Sequence, residues 1–288
     1  MRTRIYVAAA GVPAILAVIF LLPPWAFGIT VGLVAAFCAA EFVFVTRSAT
    51  SNRVVVYCAV SAFLIPLLNS VSTLPMGGIF VAVVLLLILF TEAILAYDTE
   101  RAVPFSYVAL SFFAGAVIPL FLGTLVTLRA IPAGMFLGDG SGRFFGGQVY
   151  VLIPIFIAFV SDAGGYFAGH AFGRRKLIEK VSPKKTIEGS LGGFAAAFAL
   201  MFIFTFVMVL FFDATFNILA IFVFGILGSA VTQIGDLSFS LIKREYGKKD
   251  FGHILPGHGG MLDRFDSMIL LAPFITALMF WIPPFLQG

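Results

Sequence analysis

Nine long apolar segments are the feature that most constrains how this 288-residue chain folds. An α-helix needs about 20 mostly apolar residues to cross the hydrocarbon core of a bilayer, and most of the segments reach about that length. The third segment is short, which leaves open a tilted helix, a re-entrant segment or a helix longer than the apolar run. Only 11% of the residues are charged, against about 25% in an average soluble protein, which leaves too little polar surface for a soluble globule. We therefore predict an all-α, polytopic integral membrane protein. The nine predicted spans are Ile5–Leu22, Trp25–Thr46, Val54–Leu68, Met76–Tyr97, Tyr107–Leu128, Val149–Ala168, Leu191–Phe212, Phe216–Leu241 and Leu262–Ile282.

The basic residues fall almost entirely on one side of these nine spans. The side that carries the N-terminus and the loops after the even-numbered spans holds 16 of the 18 Lys and Arg residues. The other side holds only Arg129 and Arg143. Because positive residues are retained in the cytoplasm, we predict a cytoplasmic N-terminus in a multi-pass protein of the cell membrane. The same retention accounts for the net charge of +4 without a nucleic-acid partner.

The polar residues are concentrated in the second half of the chain. Residues 161–267 contain 11 of the 18 basic residues, 9 of the 14 acidic residues and all three histidines. We predict a single integral membrane domain over residues 1–288, in which residues 1–148 form a hydrophobic helical scaffold. Residues 149–288 are predicted to carry the catalytic helices and the cytoplasmic loops. A homodimer is one use for the apolar N-terminal half, and the sequence leaves that question open.

The first polar cluster begins with Asp162, near the inner end of the sixth predicted span. A carboxylate inside an apolar span is costly and usually faces a cavity, an ion or a partner. The loop that follows carries Lys184 and Lys185, where a substrate phosphate could meet two ammonium groups. The alternative for this loop is contact with anionic lipid headgroups.

The second polar cluster lies on one face of the eighth predicted span. Asp236, Ser240 and Lys243 are spaced i, i+4 and i+7, which places them on the same side of a helix. Lys243 then lies about 10 Å beyond Asp236 along the helix axis. This spacing suits a substrate-binding face, and it equally suits an Asp–Lys pair that stabilises helix packing.

The third and densest polar cluster occupies the loop before the last span and the start of that span. Gly259 and Gly260 follow His258, and such glycines allow backbone N–H groups to converge on an anion. Asp263 and Asp266 are i, i+3 neighbours, and two carboxylates so close repel each other unless a cation lies between them. Oxygen ligands of this kind suit Mg²⁺, which commonly binds one or two carboxylates together with phosphate oxygens.

Carboxylates for a divalent ion, several basic residues and a glycine-rich anion site are thus predicted at one membrane surface. Phosphoryl or nucleotidyl transfer on a lipid is chemistry that needs this set. The chain contains neither GxxxxGK[ST] nor GxGxxG, so an ordinary P-loop or Rossmann nucleotide site is excluded.

Four sequence blocks lie close together at the end of the eighth predicted span, in the loop that follows and at the start of the ninth span. They are Ser240-Leu241-Ile242-Lys243-Arg244, Lys249-Asp250, Pro256-Gly257-His258-Gly259-Gly260 and Asp263-Arg264-Phe265-Asp266. Together these blocks resemble the signature of the phosphatidate cytidylyltransferases, also called CDP-diacylglycerol synthases. The upstream pair Ser161-Asp162 and the run Ser182–Gly189 resemble a second characteristic block of that family. The resemblance covers about residues 149–288, whereas the N-terminal spans match only in being hydrophobic.

This resemblance implies transfer of CMP from CTP to phosphatidic acid, which yields CDP-diacylglycerol and pyrophosphate in phospholipid biosynthesis. It implies Mg²⁺ as a cofactor, leaves a second cation open, and places the active site on the cytoplasmic face among the membrane lipids. The implied catalytic residues are Asp236, Lys243, Arg244, Lys249, Asp263 and Asp266, with Asp236, Asp263 and Asp266 as metal ligands. The implied substrate-binding residues are Asp162, Lys184, Lys185, Ser240, His258, Gly259, Gly260 and Arg264.

Two other functions are compatible with parts of the sequence. A CTP-dependent lipid-alcohol kinase would need a general base for a neutral hydroxyl, and no residue stands out for that role. An ion transporter would use Asp162, Asp236 and Glu92 to line a pathway. Transport predicts polar residues in both halves of the membrane, whereas here they crowd one face.

Overall fold

The computed structural model describes residues 2–48, 51–71, 76–97, 102–132, 146–212, 215–254 and 259–286. Within these ranges the chain forms nine helices. The helices are α1 (Arg2–Leu21), α2 (Pro24–Thr46), α3 (Asn52–Val71), α4 (Gly77–Tyr97), α5 (Phe105–Arg129), α6 (Gly146–Phe172), α7 (Ile187–Phe212), α8 (Ile218–Glu245) and α9 (Leu262–Trp281). Helices α5 and α8 each contain one π-helical turn, at Phe113–Val117 and Val223–Leu227.

The described helices confirm the prediction of an all-α, polytopic membrane protein. Eight of them, α2 to α9, are long and apolar enough to cross a membrane. Helix α1 covers the first predicted span and is not among these eight. Of the alternatives left open for the third span, Val54–Leu68, the structure shows a helix longer than the apolar run: α3 has 20 residues and contains Pro66. Helices continue past their apolar runs because the backbone hydrogen-bond ladder does not depend on side-chain polarity.

The chain is divided into two compact units. The first unit consists of Met1–Thr127 and Glu245–Phe265. Its helices α2 and α3 pack closely at Gly32, where a Cβ atom would lie only 2.6 Å from the carbonyl oxygen of Phe63. The π-helical turn of α5 is tied to α3, because Ser61 Oγ donates a hydrogen bond of 2.9 Å to the Gly115 carbonyl. The N-terminal helices thus share one core with the segment that precedes α9.

The second unit consists of Leu128–Arg244 and Asp266–Gly288. Helices α6 and α7 pack face to face through small residues, and a Cβ atom at Gly164 would overlap Ala196 of α7. Small residues at a crossing allow helix backbones to approach closely, which compensates for the weak hydrophobic drive between helices in lipid. The predicted division of a single domain into a scaffold and a catalytic part stays a prediction.

A short antiparallel hairpin joins α6 to α7 in the second unit. Its strands are β1 (Lys176–Ile178) and β2 (Ser182–Thr186), paired at Lys176↔Thr186 and Ile178↔Ser182. The sequence predicted only a loop here, because two strands this short leave no clear alternation of polar and apolar residues. A second, smaller pair of strands, β3 (Thr215–Phe216) and β4 (Phe285–Leu286), connects the start of α8 to the chain after α9.

Candidate active site

A cavity of about 450 Å³ lies in the second unit between α6, the β1–β2 hairpin, the first turn of α7, and α8. Four residues singled out from the sequence line it, namely Asp162, Lys184, Lys185 and Asp236. These residues come from three separate elements, so the fold brings together what the sequence placed more than 70 residues apart. The volume lies within the range of small-molecule binding sites, and both lysines and carboxylates line the cavity.

An ion pair crosses this cavity. Lys185 of β2 contacts the carboxylate of Asp236 on α8, and about a quarter of each side chain is exposed. Asp162 of α6 lies within electrostatic range of both residues of this pair. Two carboxylates and the ammonium groups of Lys184 and Lys185 thus line the same cavity.

The third carboxylate of this group is Asp266, near the start of α9. Helices α8 and α9 approach closely at Gly235, where a Cβ atom would lie 3.0 Å from Ser267 Cα. This approach places Asp266 within electrostatic range of Asp236 and Asp162. Asp266 is only 7% exposed, and its Oδ2 lies 3.7 Å from Lys243 Nζ, which is equally buried.

Hydrogen-bonded polar residues form the inner wall of the cavity. Ser190 Oγ donates to Gln233 Oε1, and Gln233 Nε2 donates to Ser229 Oγ at 3.2 Å. Ser229 in turn shares a hydrogen bond of 2.7 Å with Ser161. The sequence reasoning did not select Ser190 or Gln233 as site residues. The signal available in the sequence was Gln233 itself, because a polar amide is unusual within an apolar span and this one lies three residues before Asp236.

The hairpin is fixed at the mouth of the cavity by hydrogen bonds at its base. Thr186 Oγ1 accepts from Gly189 N at 3.1 Å and so caps the start of α7. Glu188 accepts from the backbone N–H groups of Arg174 and Arg175. Arg244 Nε donates to the carbonyl of Val181 at 3.3 Å, which ties the end of α8 to the hairpin turn.

The other predicted site residues have less enclosed positions. Ser240 is half-buried on α8, in the second unit. Lys249 and Arg264 are exposed side chains of the first unit. His258 lies outside the described residues.

Asp263 belongs to the first unit, where it organises the loop that leads into α9. Its Oδ2 accepts hydrogen bonds from Phe251 N at 2.8 Å and from Gly260 N at 2.9 Å. Gly259 adopts a φ of 83°, in the left-handed region that favours glycine. Gly260 N–H is thus directed at a carboxylate of the protein. Substrate binding by Gly259 and Gly260 stays a prediction.

The carboxylates fit a magnesium site of the kind that the substrate completes. Within the described ranges, no three or more His, Cys, Asp or Glu side chains are grouped closely enough to hold a metal by themselves. Mg²⁺ often binds only one or two carboxylates and takes its other ligands from phosphates and water. Asp236 and Asp266 meet that requirement. Asp263, the third ligand of the sequence prediction, already accepts two backbone hydrogen bonds at one oxygen.

Comparison with known proteins places the chain in a family. A model of the cytidylyltransferase family matches residues 2–282. The chain belongs to this family. The match extends through the N-terminal spans, which the sequence blocks alone did not link to any family.

Three similar proteins are phosphatidate cytidylyltransferases. The one from Staphylococcus haemolyticus is 32% identical over 223 residues, which are 74% of this chain and 82% of that protein. The one from Haemophilus influenzae is 40% identical over 139 residues, 46% of this chain and 47% of the relative. The one from Bacillus subtilis is 41% identical over 133 residues, 46% of this chain and 48% of the relative. The last two matches thus span about half the length of those relatives.

Proposed function

We propose that this cytidylyltransferase-family protein is a phosphatidate cytidylyltransferase, which transfers CMP from CTP to phosphatidic acid. The observation that carries the proposal is the family match along almost the whole chain, together with relatives of that name. The cavity supports it, because lysines for phosphates and carboxylates for a divalent cation lie together in one unit.

The proposed reaction needs charge screening rather than a general base. The phosphate of phosphatidic acid is an anion at neutral pH, so its oxygen attacks the α-phosphorus of CTP directly. A new phosphorus–oxygen bond forms while the bond between the α- and β-phosphates breaks, and pyrophosphate leaves with the electron pair. The protein must hold two polyanions together and stabilise the departing charge. Lys184, Lys185 and Lys243 supply positive charge for that purpose.

Mg²⁺ is part of this proposal. Asp236 and Asp266 would hold the ion. Asp263 is the further ligand predicted from the sequence. When bound, the ion would neutralise phosphate oxygens and stabilise the charge that develops on the leaving group. The protein's own contribution is to keep these carboxylates close together in spite of their mutual repulsion.

The function is tested with detergent-solubilised protein, phosphatidic acid and CTP labelled either at the α- or at the γ-phosphate. A phosphatidate cytidylyltransferase transfers the α-label into the lipid and releases the γ-label as pyrophosphate. A lipid-alcohol kinase, assayed with a polyprenol, would transfer the γ-label instead. A transporter would transfer neither label. Absence of α-label from the lipid fraction, in protein shown to be folded, would overturn the proposal.

Lys185→Ala is expected to raise the KM for CTP about fivefold with a smaller effect on kcat, because loss of a partly exposed charge pair costs about 1 kcal/mol. Steady-state kinetics with varied CTP measure this change. The matched control is Lys180→Ala in the exposed hairpin turn, which removes the same charge outside the cavity. Equal effects of the two substitutions would mean that bulk surface charge, and not the cavity, attracts the nucleotide.

We also propose that the cavity faces the cytoplasm, on the basis of the 16-to-2 asymmetry of basic residues. A reporter inserted in the hairpin turn is expected to be cytoplasmic, and a reporter fused after Gly288 is expected to be outside. Reporters on the same side would contradict a nine-span topology. The proposed homodimer is a separate question, which the mass of the purified particle in detergent answers.

A further inference from the structure

Glu41 is a buried carboxylate in the last third of helix α2, whose other residues are uncharged. It is 5% exposed. Its Oε1 accepts a hydrogen bond from Met261 N at 3.0 Å, and its Oε2 accepts one from Leu262 N at 2.8 Å. These two N–H groups belong to the start of α9, 220 residues further along the chain. A buried carboxylate is tolerated only when such partners replace its lost hydration.

The loop before α9 is shaped around this carboxylate. A Cβ atom at either Gly252 or Gly260 would overlap the Glu41 carboxylate, so a side chain at either position would have to displace this carboxylate from its two N–H partners. The neighbouring Phe42 stacks on Phe251, with ring centroids 6.1 Å apart and an interplanar angle of 20°. Both rings are almost completely buried. Helix α2 therefore contacts the described residues that precede α9, namely Phe251, Gly252 and Gly260, through a buried carboxylate and a buried ring.

Two carboxylates of the protein accept hydrogen bonds from backbone N–H groups at and before the start of α9. Glu41 accepts from Met261 and Leu262, and Asp263 accepts from Phe251 and Gly260. Of these four N–H groups, that of Gly260 belongs to the glycines predicted to bind an external anion, and it is directed at the carboxylate of Asp263. A negative charge at a helix N-terminus is also favoured by the helix dipole.

We infer that Glu41 is a positioning residue of the transferase reaction, an inference that rests on the proposed function. It fixes the start and the rotation of α9 by accepting the first N–H groups of the helix. Asp266, a proposed magnesium ligand, follows Leu262 by four residues on the same helix. Glu41 does not contact the substrate in this assignment. It acts through the backbone that presents Asp266.

The first test is Glu41→Gln, with Glu92→Gln as the matched control. The amide keeps the shape of the carboxylate but loses its charge, and its NH₂ group faces one of the two backbone N–H groups without accepting from it. We expect kcat to fall about tenfold while the KM for CTP changes by less than about threefold. Glu92 is a half-buried residue of the apolar helix α4 that accepts a 3.5 Å hydrogen bond from the Tyr57 hydroxyl. It belongs to no part of the proposed transferase site, so its substitution is expected to leave both constants near the wild-type values.

The second test couples Glu41 to the loop. Gly252→Ala in the wild type is expected to lower kcat, because the new methyl group overlaps the Glu41 carboxylate. In a Glu41→Ala background the same substitution is expected to add little, since the space is then open. Strong non-additivity of the two substitutions identifies a direct interaction. Full additivity would overturn the proposed coupling.

Hydrogen exchange supplies a readout that does not depend on activity. The amides of Met261 and Leu262 are expected to exchange at least about tenfold faster in Glu41→Gln than in the wild type. Unchanged exchange, or a Glu41→Gln protein with normal kcat per folded molecule and only a lower Tm, would overturn the inference. If the wild-type protein transfers no CMP but the exchange difference is observed, the proposed function is refuted. The result would then still show that Glu41 fixes the start of α9. If Glu41→Gln does not fold, the same exchange and kcat measurements are made on Gly252→Ala in the wild-type background. Faster exchange of the Met261 and Leu262 amides together with a lower kcat would support the inference, and unchanged values would overturn it.

Discussion

Asp266→Asn is expected to lower CMP transfer by at least about a hundredfold, which corresponds to about 2.7 kcal/mol of transition-state stabilisation. Asn keeps the side-chain shape but removes the charge that would bind Mg²⁺ beside Asp236. Because Asp266 is only 7% exposed, water cannot replace the lost carboxylate effectively. Asp236→Asn is expected to behave alike. The measurement is kcat/KM over a range of Mg²⁺ concentrations, with folding checked by thermal denaturation in detergent.

The control for Asp266→Asn is Glu179→Gln, at an exposed position in the hairpin turn, which should change activity by less than about twofold. Near-normal turnover of a stable Asp266→Asn protein at limiting Mg²⁺ would contradict the metal assignment.

Asp263→Asn distinguishes a metal-binding role of Asp263 from a structural role in the loop before α9. A metal ligand at this position predicts lost activity at an unchanged Tm, whereas its observed hydrogen bonds to the loop predict a lower Tm first.

Lys243→Ala is expected to lower kcat/KM for CTP by well over tenfold. A hydrogen bond to a charged group contributes about 1.5–3 kcal/mol to binding. Lys243 is 7% exposed, so water screens its charge only weakly. Steady-state kinetics with CTP and phosphatidic acid vesicles measure the loss. Lys180→Ala again serves as the control, because it removes an ammonium group from an exposed position on the hairpin.

Lys243 also lies 3.7 Å from Asp266, so a purely structural ion pair must be distinguished from a catalytic one. Removing one partner of a buried pair leaves an uncompensated charge and costs about 3–5 kcal/mol of stability. The double variant Lys243→Met with Asp266→Asn removes both charges and is expected to regain Tm. Its activity is expected to stay low, since neither phosphate nor magnesium then has its partner. Recovery of activity together with Tm would show that the pair only holds the helices together.

The spans were predictable because the signal for a membrane helix is local. The length of an apolar run and its hydropathy are properties of neighbouring residues, and helices occur at all nine predicted positions. The placement of Asp236, Ser240 and Lys243 on one face of α8 was predictable for a similar reason, since it depends on spacing within one helix. The hairpin was missed because two strands of three and five residues carry almost no periodic pattern.

Glu41 was missed although the sequence contained a signal for it. An acidic residue inside an apolar span is rare and usually functional, and that argument was applied to Asp162 but not to α2. The partners of Glu41 could not have been found in this way. They are backbone N–H groups 220 residues away, and hydrogen bonds of the backbone leave no trace in the identity of the residues that donate them.

The sequence by itself determined the membrane class of this protein, the positions of its helices and the set of charged residues on which its chemistry depends. Only the tertiary structure decided which of those charges act together. It grouped Asp236 and Asp266 with Asp162 of α6, and it directed one oxygen of Asp263 to the loop. The physical reason is that electrostatic interactions depend on distance in space, which helix packing sets, whereas hydropathy and helical spacing depend only on distance along the chain.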